Sequence, residues 1–488
     1  MKEEGFDLIF EQFIKEILIL ESDERMLLNI SHRPGFLIHG NLATFCADTK
    51  GAHKIGGFMS PSATRFFRVC EISRNDFRDH GTTDNVVLRS KDSINDQVQH
   101  ALDYVPGGDA STGIKGSCPL NKSNFFHIGE NLIFDCMHDI PEGTGPFFLK
   151  ICLREWNINK KEYGLTAEFL NERIVSFHYG RYDSTNKPSP RFTDANLREK
   201  GNYSTKQRAS QNMCLLRNFP LLFGDKIPED DPHYQFLLLF LSICDIIFSP
   251  AITIAHCNIL KEKISELFEK FNILFSDIQP INKMHHLTHY PDMMKMHGPP
   301  TRYWCMRFES YHYILKRRAQ FIGNFINICK SLACHVQRFN CLNLVENEIL
   351  RPKIVLGPLK SKSLDLDVPF EPSEFYSVPS WIQLGGWDYR PGIIVVLKKS
   401  FETESGLPKF ARITNIIAQN DSQFFLALSV LKTIYFDTQY HSYLVEERTC
   451  EKKIVLNILE CCSVEPLDLV QNFSADSNKY YVNPRHII

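Results

Sequence analysis

The chain has 488 residues, with 55 Lys plus Arg against 57 Asp plus Glu and a formal net charge of −2. That balance excludes a wholesale basic nucleic-acid coat and an acidic disordered tail, leaving room only for local charged patches. Hydrophobic residues at 43% indicate real cores, while 25 Gly and 25 Pro exclude collagen-like and low-complexity classes.

The length favours two to four domains. The 15 Cys are odd in number and irregularly scattered. Charged residues from Lys2 to Glu21 interrupt any secretory leader, so free thiols in a reducing, intracellular setting are expected. The most membrane-like run, Phe236 to Ala255, is broken by Asp245 and Pro250 and reads as a buried helix pair.

In chain order, apolar residues three and four apart predict a helix over 6–20. A loop around Pro34 leads to an apolar run, Phe36 to Ala47, expected as one buried strand ending at Asp48. The stretch from Asp76 to Ser111 reads as loop with one short helix. Helical periodicity dominates from Asn124 to about Ile281, interrupted by a polar, Pro-containing stretch, Asp183 to Ser210, expected as a mobile surface loop. After Glu309 one long helix is predicted, with Leu315, Ala319, Ile322, Ile326, Cys329, Ala333 and Val336 on one stripe. A linker over Lys360 to Ser373 follows. Then come short alternating runs at Gly392–Leu397, Phe410–Ala418, Gln423–Val430, Thr433–Thr438 and Ser442–Glu446, which predict a small all-β, barrel-like module.

Three acidic positions stand out: Asp48 at a strand end, Asp135 opening Asp-Cys-Met-His-Asp, and Glu309 near a helix start. Carboxylates converging from separate elements can clamp Mg²⁺ for phosphoryl transfer, although a strand-end Asp also serves as a turn residue and an N-terminal Glu as a dipole partner. His285 and His289, four apart, share a helix face and can grip one Zn²⁺. Cys70 is the candidate thiolate, but Phe67 occupies the position that would complete Cys-x-x-Cys.

The string Lys283 to Pro291 (KMHHLTHYP), then Gly298-Pro-Pro, then Trp304 to Ser310 (WCMRFES), resembles the end of the CACTA (En/Spm-type) transposase core. Phe126-His127 with Asp135 to Asp139 and Glu142-Gly143 resembles a second block of that group, and Asp48 through Cys70 a third. The ordered resemblance runs from about Phe6 to Asn340. It implies a mixed α/β and mostly α chain, an RNase H-like core with a large helical insertion, and an Asp-Asp-Glu triad using Mg²⁺ or Mn²⁺. By position, Asp48 matches the second Asp and Glu309 the Glu. The family's Cys pair falls on Phe67 and Cys70, and its His pair on His285 and His289. Asp135 and His138 belong to a family motif without an assigned role; helix capping by Asp135, with His138 packed beneath, is one reading. The implied domains are 1–110 as partial core, 111–282 as insertion, 283–350 as the His-rich block with its Glu-bearing helix, 351–375 as linker and 376–488 as β domain.

The departures shape the functional expectation. Asp7 falls within the predicted first helix and Asp23 in the turn after it, so neither can be the strand Asp that opens the triad. Two carboxylates hold at most one ion, and in-line two-metal displacement is then expected to fail. With only three zinc donors, structural Zn²⁺ should bind weakly. The expectation is an inactive, transposase-derived protein, domesticated or relict, with residual DNA or protein binding and a nuclear location. The alternative is an active nuclease whose first Asp lies outside the chain. Between Tyr311 and Lys362, nine Lys/Arg face Glu346 and Glu348. Lys316, Arg317, Arg318 and Lys330 are the candidate phosphate contacts, or else a solvated helix face. Trp381, Trp387, Tyr389 and Tyr435 are candidate partner contacts, or simply barrel core.

Overall fold

In the computed structural model the described residues are 4–30, 33–77, 86–104, 108–345, 354–359, 376–419, 423–447, 453–461, 465–473 and 479–487. The predicted linker Lys360 to Ser373, and Glu346, Glu348, Arg351 and Lys353 of the basic stretch, lie outside them. The chain divides into two units, one of residues 1–147 with 242–308, the other of 148–241 with 309–488.

In the first unit, α1 (Glu4–Glu21) matches the predicted first helix. The strand expected over 36–47 is instead three pieces. An antiparallel hairpin pairs β1 (Met26–Ile30) with β2 (Arg33–Ile38), and a separate short strand, β3 (Phe45–Cys46), follows. Gly40 and Asn41 interrupt the run, and a residue pair with little side chain to bury weakens strand continuation. Asp48 then caps α2 (Thr49–Gly56), accepting from the Gly51 N–H at 3.0 Å. The stretch expected as loop with one short helix holds a 14-residue helix, α3 (Lys91–Tyr104). Ile94 and Ala101 bury one face of it beside Phe58, Ile114 and Phe126.

Next, β4 (Leu132–Ile133) lies parallel to β3, pairing Phe45 with Leu132 and Cys46 with Ile133. Asp135 ends that strand and caps the single turn α4 (Cys136–Asp139), as Asp48 does after β3. A wider turn through Ile140–Thr144 feeds α5 (Gly145–Ile158). The second unit continues with α6 (Ala167–Ser176) and α7 (Ala209–Phe223). The polar stretch between them is packed, not a mobile loop. Phe192 and Leu197 are buried, Asn171 bonds Phe192 through both backbone groups, and Gln207 bonds both backbone groups of Ser189. Its prolines and charges mark an irregular path whose polar groups are satisfied by side chains.

The membrane-like run is the helix pair expected: α8 (Pro232–Ile247), a break through Pro250, and α9 (Ile254–Leu274). Among the described residues no helix is long and apolar enough to cross a membrane. Then α10 (Asn282–His297) carries the His-rich string. The single long helix predicted after Glu309 is two, α11 (Cys305–Ile322) and α12 (Ile328–Val345). Gly323 and Asn327 adopt φ of +63° and +55° between them, a left-handed turn that the periodicity of flanking apolar residues conceals. The stripe is half-buried at Leu315, Ala319 and Ile322, but Ile326, Cys329 and Ala333 are exposed.

The C-terminal part of the second unit is a sheet domain. It contains β5 (Ile394–Lys398), β6 (Lys409–Gln419), β7 (Gln423–Asp437), β8 (Ser442–Glu447), β9 (Ile454–Asn457) and β10 (Tyr480–Val482) within one eight-stranded sheet. Two runs predicted as separate strands merge into β7. Its first half, to Val430, pairs β6 and β9, and from Leu431 onward it pairs β8, with a bulge between Thr433 and Tyr435 inside that second ladder. Ile382, Leu384, Tyr389, Val395, Leu426 and Leu428 fill the core, which makes Tyr389 a core residue; Trp387 packs partly buried against them, whereas Tyr435 is 46% exposed. The sheet domain docks onto α7 and α8 through Gln439, which donates to the carbonyls of Gly224 at 2.7 Å and Ile227 at 2.8 Å while its own carbonyl accepts from Tyr234 Oη at 2.5 Å.

Candidate functional site

Among the described residues, the first unit holds two clusters of potential ligands and nucleophiles. One joins Cys70 to His285 and His289. Spacing on α10 places both imidazoles on one face, with their Nε2 atoms 3.3 Å apart. Cys70 arrives from a turn held by buried Arg89, whose Nε donates to the carbonyls of Phe67 at 3.1 Å and Cys70 at 3.3 Å. Cys70 Sγ lies 3.1 Å from His285 Nε2, and all three ligand atoms fall within 4.8 Å of one another.

The fourth side of this cluster is aromatic. Phe67, 2% exposed, packs edge-on against His285 with centroids 4.2 Å apart and lies 5.7 Å from His289; Phe77 adds a second wall at 5.6 Å. Burial, then the neighbouring His285, His286 and Arg68, pushes His289 well below the ordinary imidazole value. Burial raises the Cys70 thiol to about 12. Neutral imidazoles suit metal ligation, but three donors fall short of a closed four-coordinate zinc site. Adjacent His286 turns away, Nδ1 lying 2.7 Å from Asp139 Oδ1, while Tyr290 Oη donates to Asp139 Oδ2 at 3.1 Å.

The other cluster gathers Cys46, Asp135, His138 and Cys305. Asp135, 2% exposed, is a junction: Oδ1 accepts from the Cys305 N–H at 2.8 Å and the Met137 N–H at 3.3 Å, and Oδ2 from the His138 N–H at 3.3 Å. His138 Nδ1 also pairs closely with Asp135 Oδ2. The carboxylate therefore caps α4 and fastens the first residue of α11 in one act. His138 is paired with that carboxylate, not packed beneath the helix. The Asp135 hydrogen bond, then one to Cys305, raises its imidazole to about 10. The Sγ atoms of Cys46 and Cys305 and an Asp135 oxygen lie within 4.8 Å of one another. A hydrogen bond from Cys46 leads the causes that lower Cys305, and the same hydrogen bond raises Cys46.

Asp48 is exposed and occupied with capping, two residues beyond β3. Glu309 is exposed, one turn beyond Cys305 on α11, where the boundary between the units falls. Lys316, Arg317, Arg318 and Lys330 are all exposed, with Arg317 over Tyr313 at 5.8 Å and Arg318 over Phe321 at 5.6 Å. Sequence reasoning missed Cys46, Cys305 and the buried cation Arg68. Cys46 sits two residues before Asp48 and Cys305 four before Glu309, so the signal was present as a Cys beside each singled-out carboxylate. No protein-family model and no curated protein matches the chain.

Proposed function

We propose that the chain is a CACTA-type, transposase-derived protein that binds nucleic acid or a protein partner and does not cleave DNA. The observation that supports the reading is the meeting of Cys70, His285 and His289, separated by over 200 residues, in the pairing the resemblance implies. Parallel strands β3 and β4, each ending two residues before a capping Asp, are compatible with an RNase H-like remnant. Silence follows from the carboxylates. The described strands ahead of Asp48 read MLLNI and RPGFLI, with no acidic residue, and Asp7 lies in α1. Asp135 cannot stand in freely, because its oxygens already hold Cys305, Met137 and His138.

DNA binding would rest on Lys316, Arg317, Arg318 and Lys330, which contact phosphates without reading bases. Fluorescence anisotropy with random duplex tests this. Four phosphate contacts should lose about 100-fold in affinity between about 50 and about 200 mM salt. Replacing Lys316, Arg317 and Arg318 with Glu should abolish the binding. Salt-insensitive or strongly sequence-selective binding would overturn this assignment.

A further inference from the structure

We infer that Cys305 and Cys46 form a peroxide-reactive thiol pair, in which Cys305 is oxidised first and closes onto Cys46 as a disulfide. The inference does not depend on the transposase-derived reading. It uses a nucleophile, a hydrogen-bonded base and an orienting acid already assembled: Cys305 at the start of α11, His138 bonded to it, and buried Asp135 bonded to His138. The Cys46 hydrogen bond leads in favouring the Cys305 thiolate, the His138 hydrogen bond and the helix N-terminus add to it, and burial and the Asp135 carboxylate oppose it. The partner thiol is in place, with the Cys46 and Cys305 sulfurs within 4.8 Å. Cys305 itself is only 9% exposed, so a small oxidant would reach it beside half-buried Cys46 and the His138 side chain, which is 18% exposed. Cys70, Cys136 and Cys152 are buried with their thiols raised by desolvation, and Cys329 and Cys341 are exposed.

Chemically, the Cys305 thiolate attacks one oxygen of hydrogen peroxide and the O–O bond breaks. Cys305 becomes a sulfenic acid, and the departing hydroxide takes the proton from His138 to leave as water. The Cys46 sulfur then attacks the sulfenic sulfur, forming S–S and releasing a second water that carries the Cys46 proton. Two electrons from two thiols reduce one peroxide to two waters. The product ties β3, just ahead of Asp48, to the start of α11, just ahead of Glu309. Cys305 is the one residue of α11 that is buried among those described, so the bond would fix the helix at its anchoring point.

The test treats the full chain with substoichiometric hydrogen peroxide, alkylates remaining thiols and maps peptides by mass spectrometry. A Cys46–Cys305 cross-linked peptide is expected, forming about 10-fold faster than oxidation of Cys329 or Cys341. In Cys46→Ser, a dimedone adduct should accumulate on Cys305, and in Cys305→Ser no adduct should form on Cys46. Alkylation kinetics of the unmodified protein provide a second readout that needs no variant: Cys305 should react ahead of the exposed cysteines. Equal or slower reaction at Cys305, oxidation confined to Cys329 and Cys341, or a zinc ion that copurifies and is lost only when Cys46 or Cys305 is replaced, would each overturn the inference.

Discussion

Two clusters built from the same kinds of side chain, within one unit, differ in electrostatics. Around Cys70, His285 and His289 the walls are Phe67 and Phe77, and desolvation leads for both Cys70 and His289. In the second cluster the buried Asp135 carboxylate raises the His138 imidazole, while a hydrogen bond between the two thiols lowers Cys305 and raises Cys46. The lesson is that residue type sets the available chemistry, and one neighbouring Phe or Asp decides which protonation state is used. The first cluster is poised for a metal it cannot fully enclose; the second is poised for proton and electron chemistry.

Changing Phe67 to Cys should convert the first cluster into a four-donor zinc site, and this carries the largest expected effect. Without metal the variant should lose about 3 kcal/mol, because a buried aromatic ring is replaced by a small side chain. Zinc at a thousandfold excess over its dissociation constant should return about 4 kcal/mol, seen as a rise in Tm and one equivalent by metal analysis. If the unmodified protein already holds zinc as tightly, a further donor has been overlooked and the contrast between the clusters collapses.

Asp135→Ala breaks the second cluster from the other side. It removes the acceptor for three backbone N–H groups and the closest charge partner of the His138 imidazolium, so denaturant unfolding should show a loss of about 3 kcal/mol. Asp48→Ala, which removes one exposed cap bond, should cost about 1 kcal/mol or less. Equal losses at the two capping aspartates would contradict the junction role of Asp135.

A smaller effect concerns pH. His138 titrates at about 10 when folded against an ordinary 6.5. Its stabilisation is fully present below the ordinary value and drains away as pH rises through the folded one. Stability should therefore decline between about pH 7 and pH 10, and His138→Gln should flatten that decline. At the acid end, the same pairing helps hold Asp135 below the ordinary carboxylate range, so its contribution is lost as the solution is acidified. Burial and neighbouring His285, His286 and Arg68 lower His289 instead, and His289→Gln should leave the alkaline limb unchanged.

Much of this was legible before the fold was known, for identifiable reasons. Four-residue spacing on a helix must bring His285 and His289 to one face, and alternation in a half-buried strand marks β6 and β8 within a residue or two. What stayed hidden was non-local or carried by few residues. The break after α11 depends on the backbone of Gly323 and Asn327, which leave the apolar periodicity intact. The pairing of β3 with β4 spans two residues each, too short for any period to register. Cys46 and Cys305 are 259 positions apart, and only the parallel strands and the Asp135 junction bring them together.

A cleavage assay on supercoiled and linear duplex with Mg²⁺ or Mn²⁺, run beside Glu309→Gln, tests the proposed catalytic silence most directly. Nicking and end-joining are expected at the level of the Glu309→Gln control, because on the proposed reading the chain lacks the first carboxylate of a two-ion clamp. Cleavage by the unmodified chain that disappears in Glu309→Gln would contradict it and establish an active nuclease.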